Sequence, residues 1–289
     1  MTEDDLSFDD EDMDPITLME QGEDAEKAGE KEIAAKIYNA AGNIYMSVAE
    51  YDEALPAFEK SLGLYKELKD ETGISDTMYN LGVAQINLEK WSEAVSTCDA
   101  AMKLFKKLKN SDGEADATYG LALATLGQGG FEDALELFKK AQKSYQKAEN
   151  VQGVASTIMD MGSAYADKED WVNAEKTFKK ALTTYQELDD KAGIADALSL
   201  LGDIAEMKNN QKKAAELFVE AAQNYLEAEI FDISREVLDR AEQKMWDIPK
   251  ATRRRLRRVI DDVRDALPEE VETDDDEVDE DLLEFTDLE

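Results

Sequence analysis

Histidine is absent from the 289 residues and cysteine occurs once, as Cys98. The first absence excludes a Ser-His-Asp triad, a Cys-His dyad and a histidine-bearing metal site. The second excludes an internal disulfide. Proline (4 residues) and glycine (15 residues) are sparse, which favours helices over turn-rich β-structure. No apolar run approaches the roughly 18 residues that a membrane span needs. The acidic first 14 residues are the reverse of a basic, apolar signal peptide, so the expected compartment is the cytoplasm. Cations are also few: 33 Lys and Arg stand against 68 Asp and Glu, a formal charge of −35. Nucleic acid is therefore not an expected partner, because a phosphate backbone is bound by clustered cations.

The negative charge is concentrated at the ends. Residues 1–14 carry eight acids and residues 269–289 thirteen, with no base in either stretch. Both read as disordered tails, at 1–14 and 268–289. Between them, 43% hydrophobic content over the chain is enough for a core.

What organises that middle is a repeat. Phe58 recurs as Cys98, Phe138, Phe178 and Phe218, each 40 residues on. Ala54, Ala94, Ala134, Ala174 and Ala214 form a second column; Ser61, Ala101, Ala141, Ala181 and Ala221 a third. Tyr65, Phe105, Tyr145, Tyr185 and Tyr225 form a fourth. A column of Gly42, Gly82, Ala122, Gly162 and Gly202 keeps the same step, as do the large aromatics Tyr51, Trp91, Phe131 and Trp171, which end in Gln211. Within a unit, Met78, Leu81, Ala84 and Leu88 fall on one helical stripe, and Ala94, Val95, Cys98, Ala101, Met102 and Phe105 on another. Each unit is thus expected to be a pair of helices. The pair is separated by breaks such as Gly129-Gly130 and Asn209-Asn210, and successive units by Gly73, Gly113, Gly153 and Gly193, read as glycines ending a helix in the left-handed conformation. The small residues of the Gly42 and Ala54 columns let paired helices approach, and the large aromatics fill the gap to the next unit.

This pattern resembles the tetratricopeptide repeat, whose motif runs large residue, Leu, Gly, Tyr, then Ala, Phe, Ala. The fourth unit carries it best, in Ile158, Met161, Gly162, Tyr165, Ala174, Phe178 and Ala181. The 40-residue period exceeds the family's usual 34 and is similar to a long-helix subtype found in spindle-orientation adaptors and kinesin light chains. The resemblance implies an all-α fold, a right-handed superhelical solenoid of antiparallel helix pairs. Residues 15–34 are expected to form a capping helix and the start of the first repeat, 35–233 five repeats, and 234–267 a degenerate sixth repeat with a final capping helix. The apolar stripe Leu256, Val259, Ile260, Val263 and Leu267 suits such a cap.

The residues themselves offer little chemistry. Cys98 stands in the buried phenylalanine column and reads as a small hydrophobe. Gly127-Gln-Gly-Gly130 lacks the Lys-Ser/Thr of a phosphate loop and reads as a turn. Asp274-Asp-Asp-Glu277 lacks the glycine and spacing of a calcium loop. The expectation is a protein that is not an enzyme and uses no cofactor or metal. By resemblance, the first helix of each unit lines a concave groove, here offering Asn39, Asn43, Tyr79, Asn80, Val83, Asn87, Tyr119, Leu123, Met159, Asp160, Ser163, Ser199 and Asp203. Asn and Tyr can hydrogen-bond a peptide backbone, and Met and Leu give adaptable apolar contacts, so the expected ligand is a peptide or helix of another protein. The family's carboxylate clamp keeps its two asparagine places, Asn43 and Asn80, but its cationic places hold Asn39, Asp116 and Gly120. Asp76, Asp116, Asp160, Asp196, Asp203 and Glu206 bias the groove toward a basic or amphipathic segment instead.

One basic run departs from the overall acidity. Arg253, Arg254, Arg255, Arg257 and Arg258 either balance nearby acids on a solvated helix face or dock the acidic tail. A regulatory protein resembling the bacterial repeat-type phosphatases of response regulators, and a self-assembling scaffold, are the alternatives to an adaptor.

Overall fold

The computed structural model describes residues 14–268; the tail readings for 1–13 and 269–289 lie outside the described residues. Thirteen α-helices and no strand occur among the described residues. They fall into two compact units, Met1–Leu201 and Gly202–Glu289. The first holds α1 (Pro15–Lys27), α2 (Lys31–Ser47), α3 (Tyr51–Leu68), α4 (Glu71–Asn87), α5 (Trp91–Leu108), α6 (Ser111–Gly127), α7 (Phe131–Lys147), α8 (Val151–Asp167) and α9 (Trp171–Leu188). The unit boundary falls within α10 (Lys191–Met207). The second unit continues with α11 (Gln211–Glu227), α12 (Phe231–Gln243), a 3-10 turn (Lys244–Asp247) and α13 (Lys250–Ala266).

From Lys31 to Phe231 a new helix begins every 20 residues, so the 40-residue repeat of side chains sits on a 20-residue repeat of backbone. The joint is the same each time. The residue two before each helix start is left-handed: Gly29 and Gly129 at φ +82° and +94°, and Ala49, Lys69, Glu89, Lys109, Glu149, Glu169, Asp189, Asn209 and Glu229 between +53° and +61°. The following N–H reaches back to the carbonyl five residues earlier, as in Glu50 to Tyr45 (2.8 Å), Lys90 to Gln85 (2.9 Å) and Ile230 to Tyr225 (2.9 Å). That 6→1 bond is the mark of a Schellman motif, which satisfies orphan carbonyls at a helix end.

The glycines between units do not end helices. Gly73, Gly113, Gly153 and Gly193 lie in the first turns of α4, α6, α8 and α10. Each N–H donates to the capping side chain of Asp70, Asn110, Asn150 or Asp190, at 2.8 to 3.1 Å. A methyl there would lie 2.4 Å from Tyr65, 2.4 Å from Phe105, 2.7 Å from Tyr145 and 2.2 Å from Tyr185. Glycine is present to seat the aromatic ring of the preceding helix, not to supply a positive φ.

The other small-residue column behaves as read. Added methyls at Gly42, Gly162 and Gly202 would fall 2.5 Å from Phe58, Phe178 and Phe218. Where the column meets Cys98, Gly82 would come within 2.6 Å of Sγ. Phe58, Phe138, Phe178, Phe218 and Cys98 are all buried, so each helix pair is pinned by one side chain filling a notch in its partner. The large aromatics reach into the next unit: Trp91 covers Gly127, and Phe131 meets Tyr165 edge-on at 5.7 Å. α1 packs on α2 through the same device, with Tyr38 against Gly22. In the second unit, Leu256, Ile260 and Val263 are the buried stripe of α13, which packs on α11 and α12.

Candidate partner-binding groove

In the first unit α2 packs against α4 and α4 against α6, whereas the second helices of successive pairs are spaced more widely. The first helices α2, α4 and α6 are therefore in direct contact along this layer, and the groove residues expected from the sequence lie on first helices.

The asparagines meet. Asn80 Nδ2 donates to Asn43 Oδ1 at 3.1 Å and lies 3.5 Å from Asn39 Oδ1, which Thr77 Oγ1 also approaches at 3.5 Å. Asn87 instead turns back on its own helix, donating to the Val83 carbonyl at 2.9 Å. Tyr79 is half-buried beside Gly120, and burial pushes its phenol up to about 12.

Further along, the half-buried Tyr119 donates its hydroxyl to Asp160 at 2.5 Å and packs edge-on to Tyr145 at 6.4 Å. Tyr145 in turn donates to Asp116 at 2.7 Å. Burial raises the pKa of both carboxyls above the ordinary aspartate value, making them weaker acids; each tyrosine hydrogen bond pulls the other way but does not win. Burial also raises both phenols, helped by Asp160 for Tyr119 and Asp116 for Tyr145. Two carboxylates are thus held in place by tyrosines in a partly desolvated, aromatic setting. Met159 and Ser163 are half-buried on α8. Leu123 shares a cleft with Ile86, Trp91, Leu126, Phe131 and Ala164, an apolar strip at the ends of α4, α6 and α8.

Three residues read as groove-facing are engaged elsewhere. Ser199 is buried, 8% exposed, and presents nothing to a ligand. Asp203, in the second unit, is bonded to Arg240, and Glu206 to Lys244. Those two acids are neutralised by cations of α12 and the following turn rather than left to attract a partner.

The arginine run also divides. Arg253 donates to the Trp246 carbonyl at 2.7 Å and the Ile248 carbonyl at 3.2 Å, closing the turn before α13. Arg255 pairs with Glu216 at 2.7 Å. Arg254, Arg257 and Arg258 are exposed. Cys98 is fully buried, and burial pushes its thiol up to about 12, far from a reactive thiolate. No group of three or more His, Cys, Asp or Glu side chains that could hold a metal ion occurs among the described residues, and the acid run at 274–277 lies outside them. No helix of the described residues is long and apolar enough to cross a membrane.

The residue that sequence reasoning passed over is Tyr145. Its column reads as packing, and the clue is that Asp116 lies 29 residues before it, on the first helix of the same unit.

Antiparallel helix pairs in 40-residue register, with a polar and aromatic layer on their first helices, define the class: an α-helical repeat protein of solenoid architecture. Models of the tetratricopeptide repeat match residues 73–147 and 153–227, and a second such model matches residues 35–68. The chain belongs to the tetratricopeptide repeat family. No curated protein sequence matches it. Among solved structures, BtubC of P. vanneervenii aligns over 73% of this chain and 89% of its own, at 17% identity and a TM-score of 0.61. A putative kinesin light chain repeat protein of Podosopora anserina aligns over 67% of this chain and 95% of its own, at 14% identity and 0.55. Aspartyl phosphate phosphatase F of Bacillus subtilis aligns over 81% of this chain and 69% of its own, at 14% identity and 0.53. At such identities the likeness is one of fold.

Proposed function

We propose that this protein is a non-catalytic cytoplasmic adaptor that holds a basic or amphipathic segment of a partner protein against the first helices of its first unit. The observation that carries the reading is the pair Asp116 and Asp160. Each is a carboxylate positioned by a tyrosine, and its partial burial raises the cost of its charge by more than the tyrosine hydrogen bond relieves. A lysine or arginine from a partner would relieve that cost and stack on the surrounding rings. The asparagine row supplies backbone-binding amides beside it, and the Leu123 cleft an apolar seat.

The test is affinity capture from native lysate at moderate salt, comparing the full chain with a variant carrying Tyr79→Ala, Asn80→Ala and Met159→Ala. A partner kept by the first and lost by the second supports the groove. Identical captures by both would remove it.

A second reading is a regulatory signalling protein. It is favoured by the alignment with aspartyl phosphate phosphatase F and with a Rap protein solved in complex with Competence and Sporulation Factor, the latter covering 86% of this chain at a TM-score of 0.51. Acceleration of aspartyl-phosphate loss from a response regulator would establish that reading in place of the adaptor. Self-association, the remaining alternative, would show as concentration-dependent light scattering.

A further inference from the structure

The second unit carries a cleft unrelated to the groove and independent of the adaptor reading. It lies where the 3-10 turn meets α12 and α13 and is lined by Met245, Trp246, Arg253, Arg257, Asp239 and Glu242. Trp246 is 81% exposed, whereas the adjacent Met245 is buried, 4% exposed. A tryptophan so exposed at the mouth of a cleft offers a large apolar and aromatic contact.

The charge around it is uneven. The two acids of the cleft already share Arg264, which lies 2.5 Å from Asp239 and 3.0 Å from Glu242. Arg253 is spent on backbone carbonyls, and its Nε is buried without a partner. Arg254, Arg257 and Arg258 are exposed, with no ion-pair partner among the described residues. Arg254 and Arg258 stand one turn apart, as do Arg253 and Arg257. Arg257 is thus an unpaired cation of the cleft, and Arg254 and Arg258 extend an exposed basic face of the same helix, in a chain whose net charge is −35.

The segment best suited to it is on the same chain. Residues 269–289 carry thirteen acids and no base, with Leu282, Leu283, Phe285 and Leu288 among them. They follow directly on α13. From Arg257 to the end of that helix is about 15 Å at the helical rise, and the dozen residues before Leu282 can span up to about 40 Å when extended. Reach is ample, and tethering raises the effective concentration to the order of millimolar.

We propose that the acidic and apolar segment around Leu282–Leu283–Phe285 docks in this cleft, its carboxylates on Arg254, Arg257 and Arg258 and its apolar side chains against Trp246. A second copy or an acidic partner are the competing occupants.

The buried Cys98 permits a site-specific test in the full chain, since a thiol that is fully buried with a raised pKa does not take a surface label. Thr286→Cys is labelled with a nitroxide, and the indole N–H signals of Trp91, Trp171 and Trp246 are followed by NMR, with Trp246→Phe giving the assignment. The expected result at low salt is loss of most of the Trp246 signal with those of Trp91 and Trp171 retained. Arg254→Gln/Arg257→Gln/Arg258→Gln should restore the Trp246 signal, as should Leu282→Ser/Leu283→Ser/Phe285→Ser. The two other indoles report that each variant remains folded. An unattenuated Trp246 overturns the proposal, as does attenuation that survives the arginine replacements. Attenuation that vanishes when the labelled chain is isotope-enriched and diluted into unlabelled, unenriched chain would assign the cleft to a second copy and overturn the intramolecular occupant.

Discussion

Replacing Ala49 by glycine should stabilise the protein, against the usual effect of that substitution. Ala49 sits at φ +61°, where its Cβ crowds the following carbonyl. The left-handed conformation costs an L-residue roughly 1–2 kcal/mol, a cost glycine avoids. Glycine returns part of the gain through the greater freedom it loses on folding, about 0.5–1 kcal/mol. Ala49 is exposed, so no packing is lost, and the net expectation is about 0.5–1 kcal/mol of added stability. The same change at Ala100, inside α5, should cost about 1 kcal/mol. Combining Ala49→Gly with Lys109→Gly and Glu169→Gly, at well-separated joints, should add nearly independently to roughly 1.5–3 kcal/mol. At about 2 °C per kcal/mol for a chain of this size, the triple variant should melt roughly 3–6 °C higher. Thermal and urea unfolding check this, with amide exchange of the flanking helices as a local readout, because repeat arrays need not unfold in one step. If Ala49→Gly destabilised as Ala100→Gly does, the assignment of a strained joint would be wrong.

Two further outcomes follow from the packing and from the groove. Gly193→Ala should destabilise by about 1–3 kcal/mol, because the new methyl falls 2.2 Å from the Tyr185 ring. Gly63→Ala in α3, with nothing within 4 Å, should stabilise by about 1 kcal/mol; chemical denaturation of the two side by side gives opposite signs if the notch is real. Asp160→Asn keeps an acceptor for Tyr119 and removes a charge whose folded pKa is raised by burial. A raised carboxyl favours folding below its unfolded pKa and loses that contribution as pH rises through the folded value. The variant should therefore be more stable than the parent at neutral pH, with the advantage shrinking as pH falls toward 4, as a denaturation series over pH would show.

The pairing of helices was legible because it rests on side-chain volume. Phe58 needs Gly42 opposite it, and that demand leaves a column visible at 40-residue spacing. The joints were not legible, because only Gly29 and Gly129 of eleven left-handed positions are glycine. Helix packing on both sides holds Lys69 or Glu149 in the same conformation, and a lysine or glutamate carries no mark of it. Gly73 and its equivalents, four residues further on, are glycine to seat a ring rather than to make a turn. The groove was half legible for a related reason. The resemblance to the tetratricopeptide repeat pointed to the first helices, including Asn80 and Asp160, but Tyr145 comes from the neighbouring second helix, and only the fold brings it to Asp116. Likewise Asp203 and Glu206 read as groove acids, but in the fold α12 supplies Arg240 and the turn after it Lys244.

The single recurring joint has a consequence for how such a gene can change length. Because every connection from α1 to α12 is the same short turn, a 40-nucleotide-triplet excision between equivalent points, such as residue 109 to residue 149, rejoins a Schellman turn to the helix type it already preceded. Slippage during replication can therefore delete or duplicate a whole pair without writing a new loop. An excision of half that length would also rejoin a matching turn, yet it would exchange first and second helices downstream and send the tyrosine column to the opposite layer. The backbone tolerates steps of 20, the side chains only steps of 40, and selection on the surface alone is enough to keep the chain counting in pairs.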